Sequence, residues 1–316
     1  MLQLLDLAGI YFRAFFSTPS SVRSPDGRPM NAVRGTVEII RRVIEDGRPT
    51  RVIACLDLDW RPQWRVDLVP SYKTHRVAEP GTAPVLGEPS QAEVIPDELS
   101  PQVPVLLEVL TALGITLAGA PEAEADDVIG TLCAAETRDP VEVVTGDRDL
   151  FQLARDLPTP VRVRYLGAGM SKMSVLGAAE VAVKHAIPVG RYVDFAVLRG
   201  DPSDGLPGVP GVGDKTAAQL LTTFGSLDGI IRAAADRSSG MSAGQRTKIL
   251  AAADYLAVAP QVVRVADAAA VSVDPAGDGL LPDSPADPGA LADLIRSTGI
   301  GSTVKRFLDT VQPGLG

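Results

Sequence analysis

The stretch that most constrains this chain lies between residues 122 and 149, where two acidic groups bracket an apolar segment. Glu122-Ala123-Glu124-Ala125-Asp126-Asp127 opens it and Thr145-Gly146-Asp147-Arg148-Asp149 closes it. Glu124 and Asp127 stand three apart ahead of Val128, Ile129 and Leu132, so on a helix they share one face. The apolar run 141–144 reads as a short buried strand, and the spacing of two puts Asp147 and Asp149 on one side of the exiting backbone. Carboxylates held this close repel one another. The remedies are a shared proton or a hard cation with oxygen ligands, here Mg²⁺ or Mn²⁺. Acids at a helix start also complement the helix dipole, and Asp at a strand end is ordinary turn chemistry. Each pair alone reads that way; the two together leave capping acids and a metal site equally open.

Residues 2–7 and 52–56 read as two further buried strands, ended by Asp6 and Asp57. In open α/β sheets the carboxyl ends of the strands are where ligands bind. Turn chemistry accounts easily for one such aspartate and poorly for three. Helices are expected at 31–45, at 102–113 before Gly114, and at 178–185, with a further helix starting at 150–154 and an alternating edge-like strand at 161–165. The pattern predicts an α/β core with a central, mostly parallel sheet flanked by helices. Arg13 sits among Tyr11, Phe12, Phe15 and Phe16, where aromatics could stack a base and the arginine hold its phosphate, although phenylalanines on a helix more often serve a core. Arg65, Lys73 and Arg76, against the single acid Asp67, form a local basic strip, whose plain reading is a solvated helix face; Tyr72 interleaved with the cations favours substrate contact. Residues 77–101 carry Pro, Gly and Glu but no Lys or Arg, and are expected to form a mobile loop.

Residues 199–218 are the second informative region. A P-loop needs Gly directly before Lys-Ser/Thr, and Asp214 intervenes; a dinucleotide fingerprint after a strand is missing too. What remains is a glycine turn (Gly208, Gly211, Gly213) feeding a helix that begins with Lys215 and Thr216. Its exposed amides, the helix N-terminus and the lysine suit a phosphate, and such hairpins grip one DNA strand without reading sequence. Asp201 and Asp204 lie just upstream, three apart, and are placed to join the earlier carboxylates. After residue 225, helices and loops alternate to about 263, residues 267–288 read as irregular, and 291–311 as a closing helix.

The net charge of -9 argues against a uniformly basic nucleic-acid coat, but bound metals would cancel charge that the count ignores. Cys55 and Cys133 sit apart in apolar surroundings and read as reduced core residues. With only His75 and His185, a histidine-based site is not expected. No signal peptide or membrane-spanning run is apparent, so a cytoplasmic protein without membrane contact is expected.

Assembled, these motifs resemble the 5′-nuclease family: the 5′-to-3′ exonuclease domain of bacterial DNA polymerase I, phage 5′ exonucleases and flap endonucleases. The likeness runs from residue 2 to about 231 and is densest at 71–76, 124–127, 145–150 and 200–217. It implies a resolvase-like or PIN-like nuclease core over residues 1–176, with a gateway or arch segment at about 64–101. A helical domain over 177–316 would carry a helix-three-turn-helix at about 195–225 that holds duplex DNA and, in relatives, a K⁺ ion. With no polymerase domain after Gly316, a free-standing bacterial member is expected. The resemblance implies metal-binding roles for Asp6, Asp57, Glu124, Asp126, Asp127 and Asp147 at one divalent ion and Asp149, Asp201 and Asp204 at a second. It makes Lys73 and Arg76 gateway cations, with Arg65 a weaker match. Arg13, Tyr72 and the hairpin residues Gly208, Gly211, Gly213, Lys215 and Thr216 would contact DNA.

The implied activity is metal-dependent hydrolysis of DNA by a monomer at 5′ ends, flaps or nicks, RNA-primer hybrids included, in replication or repair. One rival is a structure-selective DNA-binding relative with weak or absent catalysis; it would be expected to lack carboxylates that this chain keeps. Another is a phosphatase built on Asp147 and Asp149, which leaves the hairpin without a task. Three departures stand out: Leu7-Ala8-Gly9-Ile10 where the family has Gly and His, Gly205 where Asn is usual, and an acidic, longer 77–101.

Overall fold

The computed structural model describes residues 1–77 and 93–311. Seven short strands form one sheet: β1 (Leu2–Asp6), β2 (Arg51–Cys55), β3 (Thr116–Gly119), β4 (Val141–Thr145), β5 (Val161–Tyr165), β6 (Ser174–Leu176) and β7 (Ser272–Asp274), in the order β6-β5-β4-β1-β2-β3-β7. The five inner strands are parallel, and β6 and β7 close the two edges antiparallel. Alternation along β1 explains both faces: Leu2 and Leu4 point into one hydrophobic core and Leu5 into the other. The sheet is therefore buried on both sides, as a parallel sheet requires.

Helices α1 (Leu7–Ser17), α2 (Asn31–Gly47), α3 (Gln63–Leu68), α4 (Gln102–Leu113) and α5 (Ala125–Ala135) accompany the first four strands. Helices α6 (Ala178–His185), α7 (Tyr192–Arg199), α8 (Asp214–Phe224), α9 (Leu227–Ala235), α10 (Ala243–Ala251) and α11 (Ala253–Val263) build a helical unit. The chain then returns through β7 to α12 (Pro288–Thr298) and α13 (Gly301–Val311). Val304 and Phe307 of α13 share a core with Val37 and Ile40 of α2. The last stretch thus completes the N-terminal core, although the boundary expected at 176/177 assigns it to the helical domain.

Other expectations shift locally. Residues 267–288 contain β7, which sequence hides because Ser-Val-Asp is short and polar; pairing with β3 through Ala118 and Val273 creates it. Residues 149–153 form a 3₁₀ turn, not the start of a helix, with Pro158 and Pro160 just beyond. Strand β5 is internal, covered by β6; its alternation lets Arg164 pair with the buried Glu142 of β4. The closing helix is two helices, separated at Gly299. Most of the expected mobile loop, residues 78–92, lies outside the described residues. Its described end, 93–101, is packed: Leu99 is fully buried. Among the described residues no helix is long and apolar enough to cross a membrane.

Candidate active site

Strands β2, β1 and β4 are parallel neighbours, so their carboxyl ends lie along one edge. Asp6 ends β1, Asp57 follows β2 by two residues, and Asp147 follows β4 by two. Helix α5 begins at the same edge, contributing Glu124 as its N-cap and Asp126 from its first turn. These five carboxylates line a cleft of about 530 Å³ together with Arg13, Lys73 and Arg76. Phe12 and Phe16 form its outer wall, and Phe16 is exposed.

Each acid is fixed by local donors. Asp6 caps α1 by accepting from Gly9 N–H at 2.9 Å and takes the Thr145 hydroxyl at 2.7 Å. Asp57 accepts from Ala125 N–H at 2.6 Å, which ties the end of β2 to the start of α5. Asp147 accepts from Asp149 N–H at 2.8 Å. Burial raises the carboxyl pKa of Asp6, and Asp147 adds to this against the two hydrogen bonds. Burial and then the neighbouring Glu124 push Asp57 up to about 7. Burial, then Asp147 and Asp6, hold Asp126 well above the usual carboxylate range.

A second group adjoins the first. Burial and then Asp147, Asp204 and Asp201 raise the Asp149 carboxyl well above its ordinary value. Its buried Oδ1 finds no hydrogen-bond partner among the described residues. Asp204 is pushed up to about 6, by burial first. Asp201 accepts from Ser203 N–H at 2.9 Å and from Arg199 Nη2 at 3.2 Å. Asp149, Asp201 and Asp204 therefore sit beside the cleft, in electrostatic contact with it, and not in its lining.

Two expected site residues prove to be structural. Asp127 Oδ1 and Oδ2 each accept a bond of 2.7 Å from Arg65, and the carboxylate also takes Glu124 N–H at 3.2 Å and Ala266 N–H at 2.8 Å. Its oxygens are occupied at a position 1% exposed, so it does not serve the cleft as a ligand. Arg65, 3% exposed, is its counter-ion and donates as well to Val262 O of α11 at 3.1 Å; it is not a cation awaiting substrate. Glu124 has extended backbone (φ -83°, ψ 165°) as an N-cap, so helical spacing does not put it on one face with Asp127. Tyr72 is corrected too: its hydroxyl is buried and donates to Glu124 Oε1 at 2.6 Å, which removes it from DNA contact.

The remaining cations reach the cleft. Lys73, in the left-handed conformation at φ 48°, places its ammonium on Glu124 Oε2. Arg76 lies between Glu93 and Asp204, 4.0 Å from the latter. Arg13 lines the cleft, and its Nε is buried without a hydrogen-bond partner among the described residues. Sequence reading missed Arg61, which donates to Tyr72 O at 2.6 Å and to the Thr74 hydroxyl at 3.1 Å and so holds the segment that carries Lys73. It also missed Thr145 as the clamp on Asp6, although Thr145 stood inside the quoted motif. Gly205 explains its own departure from the family. At φ +69° a Cβ there would come 2.0 Å from Ser71 O, because the turn clasps the gateway through Ser71 Oγ to Gly205 O (2.7 Å) and Lys73 N–H to Asp204 O (2.9 Å).

The donor set fits hard divalent cations: oxygen only, crowded, with acids whose pKa values rise by burial and mutual repulsion and one buried oxygen left without a donor. As they stand, no three potential ligands among the described residues close around a single point. At the second region, Gly208 and Gly211 have φ of +64° and +71°, Ala217 N–H of α8 bonds Gly213 O at 2.9 Å, and Lys215 and Thr216 start α8 at the surface.

Parallel inner strands whose carboxyl edge gathers acids, joined to a helical unit with a phosphate-suited hairpin, make an α/β fold with an acidic cleft of the kind that holds divalent ions. Two family models cover the chain: "5'-3' exonuclease, N-terminal resolvase-like domain" over residues 1–186 and "5'-3' exonuclease, C-terminal SAM fold" over 187–281. The chain belongs to the 5′-3′ exonuclease family and is a nuclease. It is 54% identical over 320 residues to a 5′-3′ exonuclease of Mycobacterium tuberculosis, covering 99% of each, and 50% identical over 308 residues to one of Streptomyces coelicolor, covering 98% of this chain and 99% of that one. Against DNA polymerase I of Mycobacterium bovis the identity is 38% over 73% of this chain and 24% of the polymerase. Among solved structures it resembles T5 D15 protein co-crystallised with metal ions (TM-score 0.61, 15% identity, 99% and 98% of the chains) and human GEN1 in complex with Holliday junction DNA (TM-score 0.62, 14% identity, 98% and 72%). At such identity these two bear on the fold alone.

Proposed function

We propose that this nuclease hydrolyses DNA at 5′ ends, flaps or nicks, acting as a monomer with Mg²⁺ or Mn²⁺ at the carboxylate edge. The observation that carries this is the convergence of Asp6, Asp57, Glu124, Asp126 and Asp147 on one cleft, with Asp149, Asp201 and Asp204 alongside. Divalent ions in such a setting lower the pKa of water and take charge from the leaving oxygen. The chain's own part is to hold the phosphodiester and exclude the wrong geometry. Arg13 and Arg76 face the cleft to neutralise the phosphate, Phe12 and Phe16 offer a surface for a base, and Lys73 keeps Glu124 compensated. The turn at residues 208–216 grips the duplex backbone away from the cut. The domain reading of a nuclease core followed by a helical DNA-holding unit is kept, with α12 and α13 returned to the core. Incubating the protein with a 5′-labelled flap duplex under Mg²⁺, Mn²⁺ or chelator, then sizing the products, is the test. Short products or one junction cut in metal, and none in chelator, support the proposal; cleavage undiminished by chelator ends it.

A further inference from the structure

We propose that the buried carboxamides of Gln102 and Asn31 position Arg13 and Phe16 relative to Arg76, and so set the grip of the cleft on a DNA 5′ end. The proposal rests on the cleft as the place where DNA is held, and assigns that hold to residues outside it. Gln102 is 1% exposed and Asn31 3%, and neither lines the cleft. Gln102 Oε1 accepts from Ala32 N–H at 2.8 Å and from Val33 N–H at 3.4 Å, while its Nε2 donates to Asn31 Oδ1 at 3.0 Å and to Glu98 O at 2.8 Å. These four bonds use the full capacity of a carboxamide. They also fix its orientation, because two N–H groups face the oxygen. Asn31 Nδ2 in turn donates to Phe15 O at 2.8 Å.

The pair joins two helix ends. Helix α2 starts after Met30, whose side chain makes no capping bond, so Gln102 of α4 supplies the acceptor for its first N–H groups. Phe15 O belongs to the last turn of α1 and takes its donor from Asn31. At Gly35 the two helices meet so closely that a Cβ there would stand 3.0 Å from Ala14 Cβ, so a shift of α2 is carried into the end of α1. From that end Arg13 and Phe16 reach the cleft. In the other direction the network leads to Arg76. Val94 N–H donates to Arg76 O at 2.8 Å, and Arg76 Nε donates to Glu93 Oε1 at 2.9 Å. Residues 96–102 follow in tight turns, with Leu99 N–H on Pro96 O at 2.9 Å and Gln102 N–H on Leu99 O at 2.8 Å, and the Leu99 side chain is fully buried. A cap that served stability alone would need only the acceptor at residue 102. The two donated bonds lead to the two cations of the cleft.

Gln102→Glu separates these tasks. A carboxylate still accepts from Ala32 and Val33 N–H, and the start of α2 favours its charge, but it has no N–H for Asn31 or Glu98. The experiment measures kcat and KM for a 5′-labelled flap duplex in Mg²⁺, well below melting, for wild type, Gln102→Glu, Arg13→Ala and the double variant. Arg13→Ala should raise KM about fivefold with kcat changed less, as loss of a ground-state phosphate contact does. Gln102→Glu should raise KM by a similar factor, and the double variant should be little worse than either, because the two act through one contact. Asn31→Ala breaks the network from its other end and leaves Gln102 Oε1 on α2, so it repeats the cycle where Gln102→Glu does not fold. Val109→Ala, which opens a cavity further along α4 in the same core, should lower the melting temperature and leave KM unchanged. A wild-type KM in Gln102→Glu, factors that multiply in the double variant, or a KM raised as much by Val109→Ala overturns the inference and leaves DNA binding in the cleft standing. Wild type that cuts no flap duplex, or Arg13→Ala with a wild-type KM, overturns the reading of the cleft and the inference with it.

Discussion

Removing Arg65 tests the division between residues that hold the site and residues that face substrate. In Arg65→Met the side chain stays long and unbranched but loses the guanidinium, and with it the cation's place 4.4 Å from the Trp64 ring centroid. Asp127 then stays buried with only Glu124 N–H and Ala266 N–H as donors, and Val262 O loses its bond to Arg65. Breaking one partner of a buried, hydrogen-bonded ion pair costs about 3–5 kcal/mol. At about 2 °C per kcal/mol for a chain of this size, the melting temperature should fall by roughly 6–10 °C. Asp127→Asn should also lower it, because a neutral amide leaves the Arg65 charge buried. The same pair lowers the Asp127 carboxyl, so its contribution is present above the ordinary aspartate range and lost as pH falls through the lower folded value. Thermal unfolding by circular dichroism gives the stability, and cleavage of a labelled flap duplex well below the transition gives the activity per folded molecule. Cleavage should remain within several-fold of wild type in both variants. Unchanged melting together with abolished cleavage would refute the reasoning and return Asp127 to the metal ligands.

Two further outcomes follow from the same geometry. Asp57 has a folded pKa of about 7 against 3.8 for an unperturbed aspartate, so the native state binds the extra proton between those values and stability must fall as pH rises through them. In chelator the protein should melt at a lower temperature at pH 8 than at pH 5.5, this group accounting for about 2 kcal/mol of lost stability, and added Mg²⁺ should narrow the gap. A chelated protein that melts higher at pH 8 contradicts the assignment. Gly205→Asn restores the residue usual in the family, yet its Cβ must displace Ser71 O at 2.0 Å; melting and cleavage should both decline, and an unimpaired variant would show that the clasp is not needed.

The core was legible where chemistry repeats with the period of the backbone. Buried strands ending in Asp6, Asp57 and Asp147 announce a common edge, because parallel strands joined by helices must align their carboxyl ends. What failed to show was the use of each charge. Asp127 and Arg65 lie 62 residues apart, and only the docking of α3 against α5 and α11 turns two promising site residues into a structural pair. Tyr72, set among cations, had the look of a nucleic-acid contact, but its hydroxyl serves Glu124. Strand β7 was invisible because it has no apolar signal of its own and exists through pairing with β3. The role of Arg61 depends on carbonyl groups of residues 70 and 72, which side-chain patterns do not reveal.

The most direct test of the central claim is cleavage of a 5′-labelled flap duplex by Asp126→Asn in Mg²⁺, measured beside duplex affinity. Asp126 lines the cleft and makes no ion pair within the described residues, so it has no structural task comparable to that of Asp127. Cleavage should fall to roughly a hundredth of wild type or less, with duplex affinity and melting temperature little changed. A variant that cuts at the wild-type rate would contradict that claim.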